Sequence, residues 1–447
     1  MTHVSSTSIL RMLERLDGVC MHGFELHADG KIVAEGCWQP FSKGQLHRMY
    51  SVSKSVVSIA VGMLMSEGRL SLEDKITDYF PEYVPDASVG RLMRLTIRDM
   101  LRMATCHAKT TYREGIDDDW AQTFFTVPPT HEPGTMFNYD TSCSQVLAAL
   151  VQKLSGQPLL DFLQERLFKP LGFDDEVRWL KDPSGVPQGG TGLIMSLRDL
   201  GKLGQCVMNG GDGLIPADYI RQATSRQILT YAQTPREEQY GYGYQFWMMR
   251  CGWAMYGMGG QYMIACPEKN VMLCTIADTR LQGNVQTICD AFFEEIIAHV
   301  DEEGNPEDDA RLEAVLSNLQ VLAVKHSGGE WISGTERYAM HGNSALCQVE
   351  LSEDSMTLYW QDKTERLHWN GFGKCTPGQW SDGVPTLTSA GLTEDGALHV
   401  RVQRIGDAPC GAEIDCYRKE GTISLRMRKC SNPETNRYEG IFWGVKA

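Results

Sequence analysis

The spacing of apolar residues changes character several times along the chain, and each change marks an element. Residues 8–17 follow the helical spacing of a short amphipathic helix. Between Gly23 and Gly36 the runs GFELHA and KIVAEG flank Asp29-Gly30, a dipeptide that closes tight hairpins. Val52, Val56, Ile59, Ala60 and Met63 then recur with a helical period, and Gly68 stands where a helix would end. TIRDMLRMA reads as a short helix, and a poorly periodic stretch from His107 closes at the turn Glu132-Pro133-Gly134. Val146, Leu147, Leu150, Val151 and Leu154 predict another helix with Gly156 beyond it. Residues 240–249, 261–267 and 271–278 read as strands, and 284–299 as a helix. The glycine-rich run 185–192 lacks the lysine of a phosphate loop and reads as a turn packed near a site.

The texture changes after residue 299. HVDEEGNPEDDA is acidic, holds one Pro and one Gly, and reads as a linker. Beyond a short helical stretch, ALCQVELSE, SMTLYWQD, ALHVRVQRI and TISLRMRK alternate with the period of strands. The expected organisation is a mixed helix-and-strand region over 1–305, a linker and short helix over 306–327, and a small sandwich or barrel over 328–447. The tail is expected to fold as a separate unit.

Composition narrows the functional classes. The 447 residues are 42% apolar and 22% charged, ordinary for a globular protein with ample core. A net charge of -15 opposes binding to nucleic acid or to an anionic membrane surface. No stretch is apolar over the length of a membrane span, and the N-terminus lacks the basic-then-apolar pattern of an export signal, so a cytoplasmic protein is expected. The 14 cysteines are scattered, with no C-x-x-C pair and no Cys/His cluster, so no metal or cofactor is expected and most thiols should be free.

Chemistry concentrates at Ser51-Val52-Ser53-Lys54. Ser51 and Lys54 lie one helical turn apart and so share a face. A serine hydroxyl needs an adjacent base, and a lysine can serve once burial depresses its pKa. The start of a helix also supplies backbone N–H groups to a developing oxyanion. The competing reading makes Ser51 an N-cap and Lys54 a solvated side chain. Of all the lysines only Lys54 has a serine three residues before it, and it opens an otherwise apolar helix.

Three longer segments carry a resemblance. HRMYSVSKSVVSIAVGMLMSEGRLSLEDKITDYFPEY resembles the nucleophile segment of class C β-lactamases and their relatives, among them D,D-carboxypeptidases, D-aminopeptidases, family VIII esterases and amide hydrolases of small oligomers. PGTMFNYDTSCSQVLAALVQKLSG is similar to the segment bearing the second motif, Tyr-x-Asn, here Tyr139-Asp140-Thr141. YGMGGQYMIACPEKNVMLCTIAD is similar to the third-motif strand, usually Lys-Thr-Gly or His-x-Gly, here Met258-Gly259-Gly260. The resemblance runs from about residue 8 to 300. It implies an α/β (α+β) fold of the β-lactamase/transpeptidase type, an antiparallel sheet with flanking helices and a helical subdomain, beside the small C-terminal all-β domain.

The same resemblance implies roles for single residues. Ser51 would form an acyl-enzyme, with Lys54 and Tyr139 moving the proton and the N–H groups of Ser51 and Gln261 forming the oxyanion hole. Thr141, Met258, Gly259 and Gly260 would meet substrate. Thr141 stands where the family has an amide-bearing Asn, and Met258 where it has a cation, which implies an altered substrate. His107 reads as structural, while Trp247 and Tyr244 are expected either to wall the pocket or to pack in the core. The implied activity is metal-free hydrolysis of small esters or amides; a catalytically weak binding protein of the same fold, or a true β-lactamase or D,D-peptidase, are the alternatives. Oligomeric state cannot be read from the sequence.

Overall fold

Six antiparallel strands build the sheet beside which the candidate site lies, in the order Lys31–Cys37, Met21–Ala28, Val271–Ala277, Gln261–Cys266, Trp253–Gly257 and Trp247–Met248. The computed structural model describes residues 2–85, 90–174, 176–342, 345–408, 410–429 and 437–447. The hairpin at Asp29-Gly30 forms as expected, both residues with positive φ (49° and 73°), the conformation its tight turn demands. Its first strand pairs along its length with Val271–Ala277, so the N-terminal and last strands of the region are neighbours in mid-sheet.

Every residue of Met21–Ala28, Gln261–Cys266 and Val271–Ala277 is buried, as two covered faces require. Alternation shows the two covers. A Cβ added at Gly204 would strike Met263, which places Leu197–Met208 on one face. The preceding residue, Tyr262, reaches Cys289 in the helical stretch 286–299 on the other, where Ser6–Arg15 packs too.

A helical region is inserted between the hairpin and the later strands. Its two long helices, Val52–Ser66 and Thr141–Ser155, pack against each other, the second ending at Gly156 in the left-handed conformation. Ile97–Leu101 is held by a capping box between Thr96 and Asp99. A small antiparallel sheet, His47–Arg48 beside Leu193–Met195 beside Arg178–Trp179, links this region to the main sheet.

After the helix Asp308–Ser317, ten antiparallel strands form one barrel-like sheet with its own apolar core. Its edge strands Thr364–His368 and Cys375–Gln379 are stitched where Ser381 N donates to the Glu365 carboxylate at 3.0 Å. The fold is thus mixed α and β with an antiparallel sheet, flanking helices and a C-terminal all-β sheet.

One reading needs adjustment. Residues 240–249 are turn-rich rather than a strand; Trp247–Met248 joins the sheet while Tyr242 makes isolated bridges to Ile228 and Trp247, and Trp253–Gly257 is the strand the pattern did not mark. Gly241 (φ 121°) and Gln245 (φ 65°) break the extended path, and a Cβ at Gly243 would lie 1.9 Å from Ala223 O. Among the described residues Cys251 and Cys266 form a disulfide and eleven other cysteines are free, so most of the thiols are free as expected. Among the described residues, no helix is long and apolar enough to cross a membrane, and no His/Cys/Asp/Glu group could hold a metal ion.

Candidate active site

Ser51 sits where the strand His47–Arg48 turns into the helix Val52–Ser66. Tyr50 takes a left-handed conformation (φ 46°) immediately before it. Guanidinium groups hold that residue: Arg48 and Arg280 lie 5.1 and 5.2 Å from its ring centroid, and Arg280 donates to its hydroxyl at 2.9 Å. Ser51 begins the helix but makes no capping hydrogen bond with its side chain, and Lys54 is 1% exposed. Both observations exclude the reading of an N-cap with a solvated lysine, and the hydroxyl is left for chemistry.

Lys54 Nζ lies 2.8 Å from Ser51 Oγ and donates to Gly190 O at 2.7 Å. It also lies 5.0 Å from the Tyr139 ring centroid. Burial lowers its pKa to about 7, and the opposing pull of Cys143 and Asp140 offsets the loss of water only in part. A neutral amine in this position directs an N–H at Gly190 and its lone pair at the serine hydroxyl.

Tyr139 comes from the turn before the helix Thr141–Ser155, and its side chain interacts with that of Ser51. Burial pushes its pKa up, so it stays protonated near neutrality. The two pKa values separate the tasks: Lys54 can accept a proton near pH 7, and Tyr139 can donate one. Trp247 stacks on Tyr139 at 5.5 Å and walls the site. Tyr244, in contrast, is fully buried and accepts from Arg98, a packing role. Asp140 caps the helix by accepting from Ser142 N at 2.9 Å, which fixes the turn that carries Tyr139.

Thr141 presses on the glycine-rich loop. A Cβ at Gly190 would lie 2.3 Å from Thr141 Cγ2 and 3.3 Å from Lys54 Nζ, so only glycine lets this carbonyl approach the amine. Gly189 N donates to Gln145 Oε1 at 2.9 Å and holds the loop in place. Gly190 is the site residue the sequence did not assign; a carbonyl acceptor has no side-chain signature, and the glycine run was its only trace.

Met258, Gly259 and Gly260 form the turn between Trp253–Gly257 and Gln261–Cys266, both glycines with positive φ (92° and 98°). A Cβ at Gly257 would lie 2.1 Å from Met49 O, so this turn abuts the segment leading into Ser51. Met258 is 40% exposed. The Gln261 side chain is committed elsewhere: its Nε2 donates to Met258 O at 3.0 Å and Ala277 O at 2.9 Å, stapling the turn to the neighbouring strand. His107 is buried, donates to Phe124 O at 2.9 Å and is structural.

A family model described as Beta-lactamase matches residues 26–280, more than half of the chain. The 6-aminohexanoate-dimer hydrolase of Paenarthrobacter ureafaciens is 26% identical over 222 residues, 46% of this chain and 56% of that protein. Esterase EstB of Burkholderia gladioli is 26% identical over 176 residues, 35% of this chain and 45% of that protein. The chain thus spans about half the length of these curated relatives. Among solved structures, a β-lactamase-like protein from Bacteroides dorei superposes with a TM-score of 0.56 at 15% identity, covering 65% of this chain and 99% of that one. An octameric penicillin-binding protein homologue from Pyrococcus abyssi gives a TM-score of 0.50 at 17% identity over 98% of both chains, so its likeness in fold extends through the C-terminal sheet. The segments carrying Ser51, Lys54 and Tyr139 fall within the matched span, and the chain belongs to the beta-lactamase family.

Proposed function

We propose that this chain is a serine hydrolase that cleaves small ester or amide substrates through an acyl-enzyme on Ser51. One observation carries the reading: a buried lysine, its pKa brought down to about 7, lies 2.8 Å from a serine hydroxyl not used for capping. Neutral Lys54 takes the Ser51 proton as Oγ attacks the substrate carbonyl carbon. The tetrahedral intermediate then expels the alcohol or amine, which leaves with a proton passed by way of Tyr139. Water repeats the sequence on the acyl-enzyme and releases the acid. The Ser51 N–H is assigned to the oxyanion hole, which agrees with its lack of a backbone partner among the described residues. The Gln261 N–H is assigned as the second donor. The names of the relatives, a 6-aminohexanoate-dimer hydrolase and an esterase, support an ester or amide substrate.

Substrate choice is assigned to Met258, Thr141 and the glycines 259 and 260. A thioether offers neither charge nor a hydrogen-bond donor to a substrate carboxylate, and pressing one against it would strip water without replacement. Uncharged short-chain substrates suit this side chain better than β-lactams do. No metal or cofactor enters the proposed reaction, and a cytoplasmic location remains part of the reading. A panel of p-nitrophenyl esters, D-amino-acid amides and nitrocefin tests it. Turnover of uncharged esters or amides with poor nitrocefin hydrolysis is expected, and Met258→Lys should move the ratio toward carboxylate-bearing substrates. Efficient nitrocefin turnover by the unaltered chain would show that Met258 does not set the preference.

A further inference from the structure

The small sheet beneath the site is gripped from the C-terminal barrel. Arg48 N donates to Asp407 O at 2.5 Å, and the Asp407 carboxylate pairs with Arg178 at 2.8 Å. Arg48 and Arg178 lie on the two outer strands of the three-stranded sheet, so one barrel loop holds both. A second link runs through the interior. Gln403 Nε2 lies 2.6 Å from His22 Nε2, His22 Nδ1 lies 3.3 Å from His47 Nε2, and His47 Nδ1 lies 3.3 Å from Gln45 O. All three side chains in this chain of contacts are buried.

The donors and acceptors fix the direction of this relay. An amide nitrogen can only donate, so His22 Nε2 accepts and its proton sits on Nδ1. That proton goes to His47 Nε2, and the proton on His47 Nδ1 goes to the Gln45 carbonyl. Both imidazoles are neutral: burial holds His22 well below its ordinary pKa and lowers that of His47 to about 4. Cys20 completes the Gln403 amide by donating to its oxygen at 3.5 Å. Every member is satisfied, and each has one orientation.

What the sheet carries gives the relay its consequence. Ser51 follows His47–Arg48 by three residues, and Gly190 precedes Leu193–Met195 by three. Arg48 ties the two together: Nε donates to Thr191 O at 3.0 Å, and its guanidinium reaches Gln188 Oε1 at 3.2 Å. The nucleophile and the carbonyl that orients Lys54 thus hang from one small sheet, which the barrel touches twice through Asp407 and reaches a third time from Gln403 by way of His22.

We propose that Gln403 and Asp407 are positioning residues for acylation, through which the C-terminal barrel sets the register of Ser51 against Lys54 and Gly190. The inference rests on Ser51 and Lys54 acting as proposed above. The test uses the full chain and the variants Gln403→Met, which keeps the length and removes the amide, and Asp407→Asn. Acylation rate and KM with an uncharged p-nitrophenyl ester are measured beside the melting temperature and the side-chain nitrogen NMR signals of His22 and His47. Misplacing a reacting group by a fraction of an ångström should slow acylation about tenfold or more in Gln403→Met, with KM within about twofold. The His47 nitrogen signals should depart from the Nδ1–H form. A smaller drop is expected for Asp407→Asn, which retains the backbone acceptor for Arg48. If Gln403→Met does not fold, Asp407→Asn decides. Folded variants that acylate at the wild-type rate would overturn the inference while leaving the Ser51 reading intact; an unaltered chain that never acylates would instead overturn that reading.

Discussion

At the scale of single residues, function depends on one amine kept dry. Lys54 is depressed to about 7 by burial, so the fraction able to accept a proton rises as pH climbs through that value. Acylation should rise with pH across about 6–8 in pre-steady-state ester cleavage. Lys54→Arg should be nearly inactive there because a guanidinium stays protonated; wild-type turnover in that variant would remove Lys54 from the mechanism. The same shift has a cost in stability. Between the ordinary lysine value and about 7 the unfolded chain binds a proton the folded chain does not, so the penalty grows as pH falls through that window and is constant below it. Lys54→Met should therefore melt several degrees higher than the wild type at pH 7 while losing activity. Ser51 and Lys54 were legible in the sequence because a short motif opens an apolar helix. The depth of burial that tunes the lysine was not, since it depends on Tyr139 and on Gly190, which lie far away in sequence.

At the scale of elements, periodicity found what local rules control and missed what tertiary packing controls. The Asp29-Gly30 hairpin and the helix ending at Gly156 needed only turn chemistry and an apolar face, and both are present. Residues 240–249 have the aromatic content of a strand, yet Gly241 and Gln245 turn the chain back so that Trp247 can stack on Tyr139. The glycine-rich loop was recognised as a turn near a site, but its purpose lies in backbone geometry alone. Gly190→Ala tests that purpose. The added methyl meets Thr141 and the Lys54 amine, so the loop must retreat and the carbonyl with it. Acylation should fall by about one to two orders of magnitude, with a smaller loss of global stability, as read from burst kinetics and thermal unfolding. Unchanged burst kinetics would show that Lys54 is oriented without Gly190.

At the scale of the molecule, two apolar cores meet through polar contacts and through Leu387, a barrel residue packed in the first core, none of which sequence texture records. The acidic stretch before residue 310 marked a change from mixed elements to strands, and the barrel-like sheet lies beyond it. We still propose the division at about 305 and 328, because residues 301–307 are largely exposed. Limited proteolysis should cut first within 300–312, and uniform resistance along the chain would argue for a single cooperative unit. The relay from Gln403 to His47 was invisible in the sequence: its members are scattered from residue 22 to residue 403 and have no spacing in common. The central claim, an acyl-forming Ser51 activated by Lys54, is tested most directly by treating the full chain with a fluorophosphonate probe above pH 7 and weighing the intact protein. One adduct, mapped to the peptide containing Ser51 and absent from Ser51→Ala, is the expected result; an adduct that persists in Ser51→Ala would contradict it.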